Sequence, residues 1–513
     1  MIDRRHFLKL SGKAASAALL AATATRTHAA SASVPSPDDP AWLSATELLA
    51  RFRTHQLSPV DVLEAQIKRI GIDEGRVGCI TVKHFDEARA AANESAARYK
   101  AGNPRPLEGI TVAVKDEFAV KGWTTTMGSM LLKDAPPEKA DNPVIERLRA
   151  AGAVFHVQTT VPEFYTWLTT ATKLWGVTRN PWNLAYTPGG SSGGAGAALA
   201  AGFTTLALGS DMGGSIRVPA SQCGLYGFKP PFGRVPTSEV PYETEGPLAR
   251  TFDDLNLFTN AMVGPHPLVL SSLRPRLIYP EHYDSVKGWK IAYDPMPGIS
   301  PLDPPVREAM NRAIERVKGL GATVETVDLG FKADDLDTFW AGLFSTSMGG
   351  MRTEGLKHLD QLMPYTRASF TRLHGQIGPD ALVATEELLN QYQRQVQETV
   401  FTRGYRALLT PTVATPLIPA EHGLNPETDS VMIQGRRVTG LKFVFTWVWN
   451  LLGAYPVVAA PIGIDAEGMP MGMQIVGNTY DDLDAFQLAS AYSRVAPPLY
   501  TGNQFPDFRN QKA

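Results

Sequence analysis

Residues 185–218 read AYTPGGSSGGAGAALAAGFTTLALGSDMGGSIRV. Two glycine–serine knots stand in it. The first is Gly189-Gly190-Ser191-Ser192-Gly193-Gly194 and the second is Asp211-Met212-Gly213-Gly214-Ser215. Between them the pattern predicts a small-residue helix over Ala195–Ala201 and a short apolar strand over Thr204–Leu208. Glycines at this density let a backbone turn tightly and offer its N–H groups to a ligand. Serines held on such a backbone are candidate nucleophiles and proton relays.

Outward from this stretch the chain alternates strands and helices. Upstream, Ser44-Ala-Thr-Glu47 is a capping-box pattern that opens a helix over Thr46–Thr54. Ser58-Pro59 opens a second, running to about Ile70, because serine caps and proline suits the first helical position. A third is expected over Phe85–Lys100. Ile110–Val114 reads as a buried strand with Lys115-Asp116-Glu117 at its end. A helix from Asn142-Pro143 to Ala150 and a strand over Ala153–Val157 follow. Downstream, Trp289–Tyr293, Pro304–Lys318 and Ala322–Val327 form a strand–helix–strand unit. Residues 332–400 read as long helices, such as Asp380–Val396. Strands are expected over Leu408–Thr412, Ala454–Pro461 and Met471–Ile475, then a helix over Asp481–Ser493. The fold class is therefore α/β, one large domain with a mixed twisted sheet covered by helices on both faces.

Composition bounds the function. The chain has 513 residues, 43% of them hydrophobic and 19% charged, which reads as globular rather than disordered. A net charge of −2 carries no nucleic-acid footprint. Residues 1–30 resemble a twin-arginine export signal. Asp3-Arg4-Arg5-His6-Phe7-Leu8-Lys9 precedes a mildly apolar run, Ala14 to Ala22, too short and too polar to span a membrane. Cleavage is expected after Ala29, Ala30 or Ala32. It removes Arg4, Arg5, Lys9, Lys13 and Arg26 along with Asp3, taking the net charge from −2 to −6. The expectation is a signal over 1–30, a domain over 31–513 and a periplasmic or secreted location. Cys79 and Cys223 show no metal-ligand spacing and read as buried small hydrophobes, with a single bridge left open.

Three pieces in order carry a resemblance: ITVAVKD at 110–116, GGSSGG at 189–194 and DMGGSIRVPA at 211–220. Together they resemble the amidase signature family of serine hydrolases, over roughly residues 44–500 and more weakly over 265–400. Members include fatty acid amide hydrolase, peptide amidases, aryl acylamidases and the A subunit of the tRNA-dependent amidotransferase. The resemblance implies a hydrolase of linear amide C–N bonds, acting on a small-molecule amide with no metal or cofactor. Esters and carbamates are further candidate substrates. Assembly is left open, with a homodimer among the options.

The chemistry such an enzyme needs assigns the roles. Amide cleavage requires an activated nucleophile, donors for the oxyanion and an acid for the leaving nitrogen. Ser215 resembles the family's nucleophile, and the N–H groups of Met212, Gly213, Gly214 and Ser215 its oxyanion hole. Ser191 resembles the bridging serine, which the family places after a cis peptide bond, here Gly190–Ser191. Ser192 is its structural neighbour. Lys115 resembles the base. A lysine is charged at neutral pH and accepts a proton only where burial disfavours that charge. With Lys115 alone as the base, activity is expected to climb towards alkaline pH. Asp211 and Arg217 match positions that brace the site. Tyr165, Trp167, Thr169, Thr170 and Gly190 are candidate substrate contacts, and the aromatics among them suggest an apolar or aryl group.

Other readings stay open here. GGSSG also satisfies G-x-S-x-G, the nucleophile elbow of α/β-hydrolases, which makes Ser191 the nucleophile and requires a later histidine such as His374 or His422. A glycine loop can also cradle phosphate, although neither GxxxxGK[ST] nor GxGxxG follows here. An amidotransferase A subunit works with tRNA in the cytoplasm, which the export signal opposes.

Overall fold

The computed structural model describes residues 39–236, 240–372, 376–425, 428–502 and 504–511. The export segment 1–30 and His374 lie outside the described residues. Capping follows the sequence chemistry. Ser58 Oγ accepts from Val60 N while Asp61 accepts from Ser58 N, opening the helix Pro59–Val77. That helix runs about two turns beyond Ile70, to where Gly78 takes a left-handed φ of 63°. Asn142 Oδ1 caps Pro143–Ala150 in the same manner, at 2.8 Å from Val144 N.

The strands of the first half are β1 (Ile80–Lys83), β2 (Thr111–Lys115), β3 (Val154–Thr159), β4 (Ala171–Thr172), β5 (Gly176–Val177), β6 (Leu206–Asp211), β7 (Tyr226–Lys229) and β8 (Thr244–Ala249). The second half adds β9 (Lys290–Tyr293), β10 (Thr323–Thr326), β11 (Ala407–Pro411), β12 (Ser430–Ile433), β13 (Arg436–Thr439), β14 (Val457–Ile464) and β15 (Pro470–Val476). Eleven of them form one sheet in the order β1-β3-β2-β6-β8-β7-β14-β15-β11-β9-β10. The runs β3-β2-β6 and β11-β9-β10 are parallel, and the strands between β6 and β11 are antiparallel.

Helices cover both faces, and the side chains of one strand divide between two cores. Val112 and Val114 of β2 join one cluster and Ala113 joins the other; Leu206 and Leu208 of β6 part from Ala207 in the same way. This is the period-2 alternation of a strand buried on both sides. The helix Gly193–Ala200 is buried throughout. A Cβ at Gly193 would stand 2.1 Å from Thr170 Oγ1, and one at Gly194 2.4 Å from Thr160 N. The small residues are there because the backbone lies against its neighbours.

The second half of the weakly matching stretch is helical: Asp335–Ser345, Gly349–Gly355, Pro364–Arg372 and Pro379–Thr399. It has its own small core around Leu343, Phe344 and Phe370, shared with Phe164 and edged by Met212. The helical excursion is thereby held against the second glycine knot. Cys79 and Cys223 are both free and buried. Among the described residues no helix is long and apolar enough to cross a membrane.

Candidate active site

Neighbouring strands deliver the polar groups to one place. β2 ends in Lys115 and β6 in Ser210-Asp211, and the pairing Val114↔Leu208 brings those ends side by side. Lys115 is fully buried. Its Nζ lies 2.8 Å from Ser191 Oγ and 2.7 Å from Ser210 Oγ. It also lies 2.7 Å from Glu117 Oε2. Ser210 Oγ in turn donates to Glu117 Oε2 at 2.6 Å. The Tyr165 ring caps the group, with Nζ 4.9 Å from its centroid. Phe164 and Tyr165 hold φ values of 51° and 61°, a left-handed pair uncommon outside glycine. That turn presents the Tyr165 ring to the lysine.

The two knots are tied to each other. The Gly190–Ser191 peptide bond is cis. Ser192 N donates to Ser215 O at 3.1 Å, and Ser192 Oγ accepts from Ser210 N at 3.3 Å, so Ser192 serves the scaffold. In the second knot Asp211 organises the backbone. Its carboxylate accepts from Gly214 N at 2.8 Å and Ile216 N at 3.1 Å. It also takes both arms of the buried Arg217 guanidinium, from Nε at 2.9 Å and Nη2 at 2.8 Å. Arg217 reaches on to Asn450, Gln474 and the Thr446 carbonyl. Burial pushes the Asp211 carboxyl up, but the Arg217 charge and hydrogen bonds, with Asn450, outweigh it and hold it at about 2.

Ser191, Ser215, Met212, Gly213 and Gly214 line one small chamber of about 40 Å³. Among the described residues the N–H groups of Met212, Gly213 and Ser215 have no hydrogen-bond partner. Gly214 departs from the sequence expectation: its N–H is committed to Asp211. It is glycine for a steric reason, with φ at 125° and a Cβ that would fall 1.9 Å from Thr446 Oγ1. The chamber adjoins an outer one of about 520 Å³, and Thr166, Trp167, Trp340 and Leu441 line both. Trp167, Trp340, Phe344 and Tyr365 give the outer chamber an aromatic wall, and Arg367, Arg372, Asp337 and Lys442 charge its lining.

Of the candidate substrate contacts, Tyr165, Trp167 and Gly190 line the inner chamber. Thr169 and Thr170 do not: both are buried, and Thr170 Oγ1 donates to Gly189 O at 2.9 Å, bracing the first knot. Thr166 and Leu168 take their places on the wall. His422 stacks against Trp167 with ring centroids 5.7 Å apart, and Lys115 is the basic side chain bonded to Ser191. Sequence reasoning missed Glu117 and Ser210. Glu117 carried no signal beyond adjacency. The chain turns at Lys115, where Glu117 N meets Lys115 O at 2.6 Å, and this folds the carboxylate back onto the ammonium. Among the described residues no cluster of His, Cys, Asp and Glu has the makings of a metal site.

The Amidase family profile matches residues 61–484. The chain is 31% identical over 484 residues to the A subunit of the glutamyl-tRNA(Gln) amidotransferase of Geobacter metallireducens, covering 88% of this chain and 97% of that one. It is 29% identical to an acylamidase of Rhodococcus erythropolis, covering 89% and 96%. A bacterial aryl acylamidase of the amidase signature family superposes with a TM-score of 0.82 at 29% identity, over 92% of this chain and 99% of that one. The protein belongs to the amidase signature family and is a hydrolase acting on C–N bonds.

Proposed function

We propose that the protein hydrolyses a small carboxylic amide through a Ser215 acyl-enzyme, with Lys115 and Ser191 as the proton relay. The observation that carries this is the 2.8 Å contact between Lys115 Nζ and Ser191 Oγ beside a chamber that Ser215 also lines. In the forward step Ser215 Oγ attacks the carbonyl carbon and its proton passes to Ser191. The Ser191 proton passes to a neutral Lys115. The developing oxyanion meets the uncommitted N–H groups of Met212, Gly213 and Ser215, which are fixed before the charge appears. When the tetrahedral adduct collapses, the proton returns through Ser191 to the leaving nitrogen, and an amine departs. Water then repeats the sequence on the ester.

The aromatic lining of the outer chamber supports an aryl or apolar amide as the substrate class. A fluorophosphonate should label a single peptide, the one holding Ser215. Labelling at Ser191 would favour the elbow chemistry instead. Hydrolysis rates on aryl anilides, fatty amides, peptide amides and carbamates separate the substrate classes.

The protein is further proposed to be exported, on the strength of Arg4-Arg5 ahead of Phe7-Leu8-Lys9. The same segment argues against the cytoplasmic amidotransferase reading. Arg4→Lys together with Arg5→Lys should hold the precursor in the cytoplasm. An unchanged periplasmic yield would defeat the twin-arginine assignment.

A further inference from the structure

We infer that Glu117 is a further member of the proton network, holding the proton that Lys115 must shed to act as a base. The inference rests on the Ser215–Ser191–Lys115 reading and concerns the carboxylate in contact with Lys115. Lys115 Nζ has three acceptors around it, Ser191 Oγ, Ser210 Oγ and Glu117 Oε2, at 2.8, 2.7 and 2.7 Å. As an ammonium ion it satisfies all three and has no lone pair for the Ser191 proton. The relay therefore needs a neutral amine in a site where the nearest carboxylate is already in contact. Transfer of one proton from Nζ to Oε2 breaks an N–H bond, forms an O–H bond and leaves a neutral amine beside a neutral acid. The number of protons bound is unchanged. Rotation about Cε–Nζ then turns the lone pair to Ser191 Oγ. Burial raises the cost of the charged pair relative to the neutral one. Ser210 fixes the geometry, since its hydroxyl accepts from the lysine and donates to the same Oε2.

The other groups facing the pair are placed for different work. Asp116 turns away, accepting from Thr126 N at 2.8 Å and Gln158 Nε2 at 3.0 Å. Tyr165 presents its ring to Nζ, and burial, with Glu117, Asp116 and Glu243 nearby, pushes its phenol well above the usual range. Glu243 lines the chamber from the residue before β8 and is not among the three acceptors at Nζ. Asp211 is engaged by Arg217.

The inference replaces the alkaline climb expected of a lone lysine. Because the active form is a tautomer of the ion pair and binds the same number of protons, kcat/KM on an anilide should lack the alkaline climb that a lone lysine base requires. Glu117→Gln keeps the shape and removes the proton acceptor. Its kcat/KM on the anilide should fall about 10- to 100-fold at neutral pH and recover as the pH is raised, with the matching ester less affected. Glu117→Ala, at a side chain 12% exposed, answers in the same way should the glutamine variant not fold. A variant profile that overlays the wild type, or a variant faster at neutral pH, overturns the inference, since the carboxylate would then only shape the site or hold the ammonium in place. Fluorophosphonate labelling of the same samples separates the two readings. Label on Ser215 with an unmoved profile removes the Glu117 assignment alone, and label elsewhere removes both.

Discussion

Lys115→Ala is expected to lower amide turnover by about 100-fold or more, since a positioned acid–base group contributes roughly 10²–10⁴ in rate. The side chain is bonded to Ser191, Ser210 and Glu117 at once, so its removal leaves Ser191 with no base in contact. The loss should differ between substrates. An amine anion is a very poor leaving group and waits for the returning proton; an alkoxide departs more readily without one. The matching ester should therefore lose less rate than the amide. Parallel kcat/KM measurements on an anilide and its ester, with a thermal melt to show the variant folded, decide the matter. Near-native amide turnover in Lys115→Ala would sink the relay, and equal losses on both substrates would remove its role in protonating the leaving nitrogen.

Much of this site was legible because its chemistry is concentrated in short, compositionally odd segments. Lys115 stands at the end of a run of apolar residues, and Ser191, Ser215, Asp211 and Arg217 stand in or beside glycine knots that have few alternative uses. The strand–helix alternation likewise made the mixed sheet readable. What escaped notice depends on distant chain. Thr446, Asn450 and Gln474 meet Arg217 across more than 200 residues, and no local pattern announces them. Strands β1, β7 and β8 of the main sheet were missed, as were the short pairs β4–β5 and β12–β13. β7 and β8 hold glycines, Gly227 and Gly246, that lower strand propensity; they are required because a Cβ there would meet Ile216 at 2.8 Å or Phe228 O at 2.2 Å. The end of β6 lies three residues beyond the expected Leu208, so that Ser210 and Asp211 sit on the strand rather than in the loop. The substrate wall was read by position alone, and this is why Thr169 and Thr170 were included: a loop's sequence does not tell which side faces the chamber.

Asp211→Asn should destabilise the protein by about 3–5 kcal/mol, because it leaves the buried Arg217 guanidinium without its counter-charge and weakens the acceptor of Gly214 N and Ile216 N. The pair is wholly buried, so solvent does not screen it. The sign of its pH dependence is fixed by the direction of the shift. The carboxyl is held at about 2 in the folded protein against an ordinary 3.8. The unfolded chain therefore binds the extra proton first. The contribution, about 2 kcal/mol by linkage, is complete above the ordinary carboxylate value and is lost as the pH falls through the folded one. The stability gap between wild type and Asp211→Asn, from urea unfolding, should thus narrow between about pH 5 and pH 2. The double variant Asp211→Asn, Arg217→Met removes both charges and should be less destabilised than Asp211→Asn alone, since an unpaired buried charge costs more than a missing pair. Its activity should still be low, because the Gly214 turn at the wall of the chamber has lost its anchor. A gap that stays constant on acidification, or a double variant worse than the single, would show that Asp211 acts by shape rather than by charge.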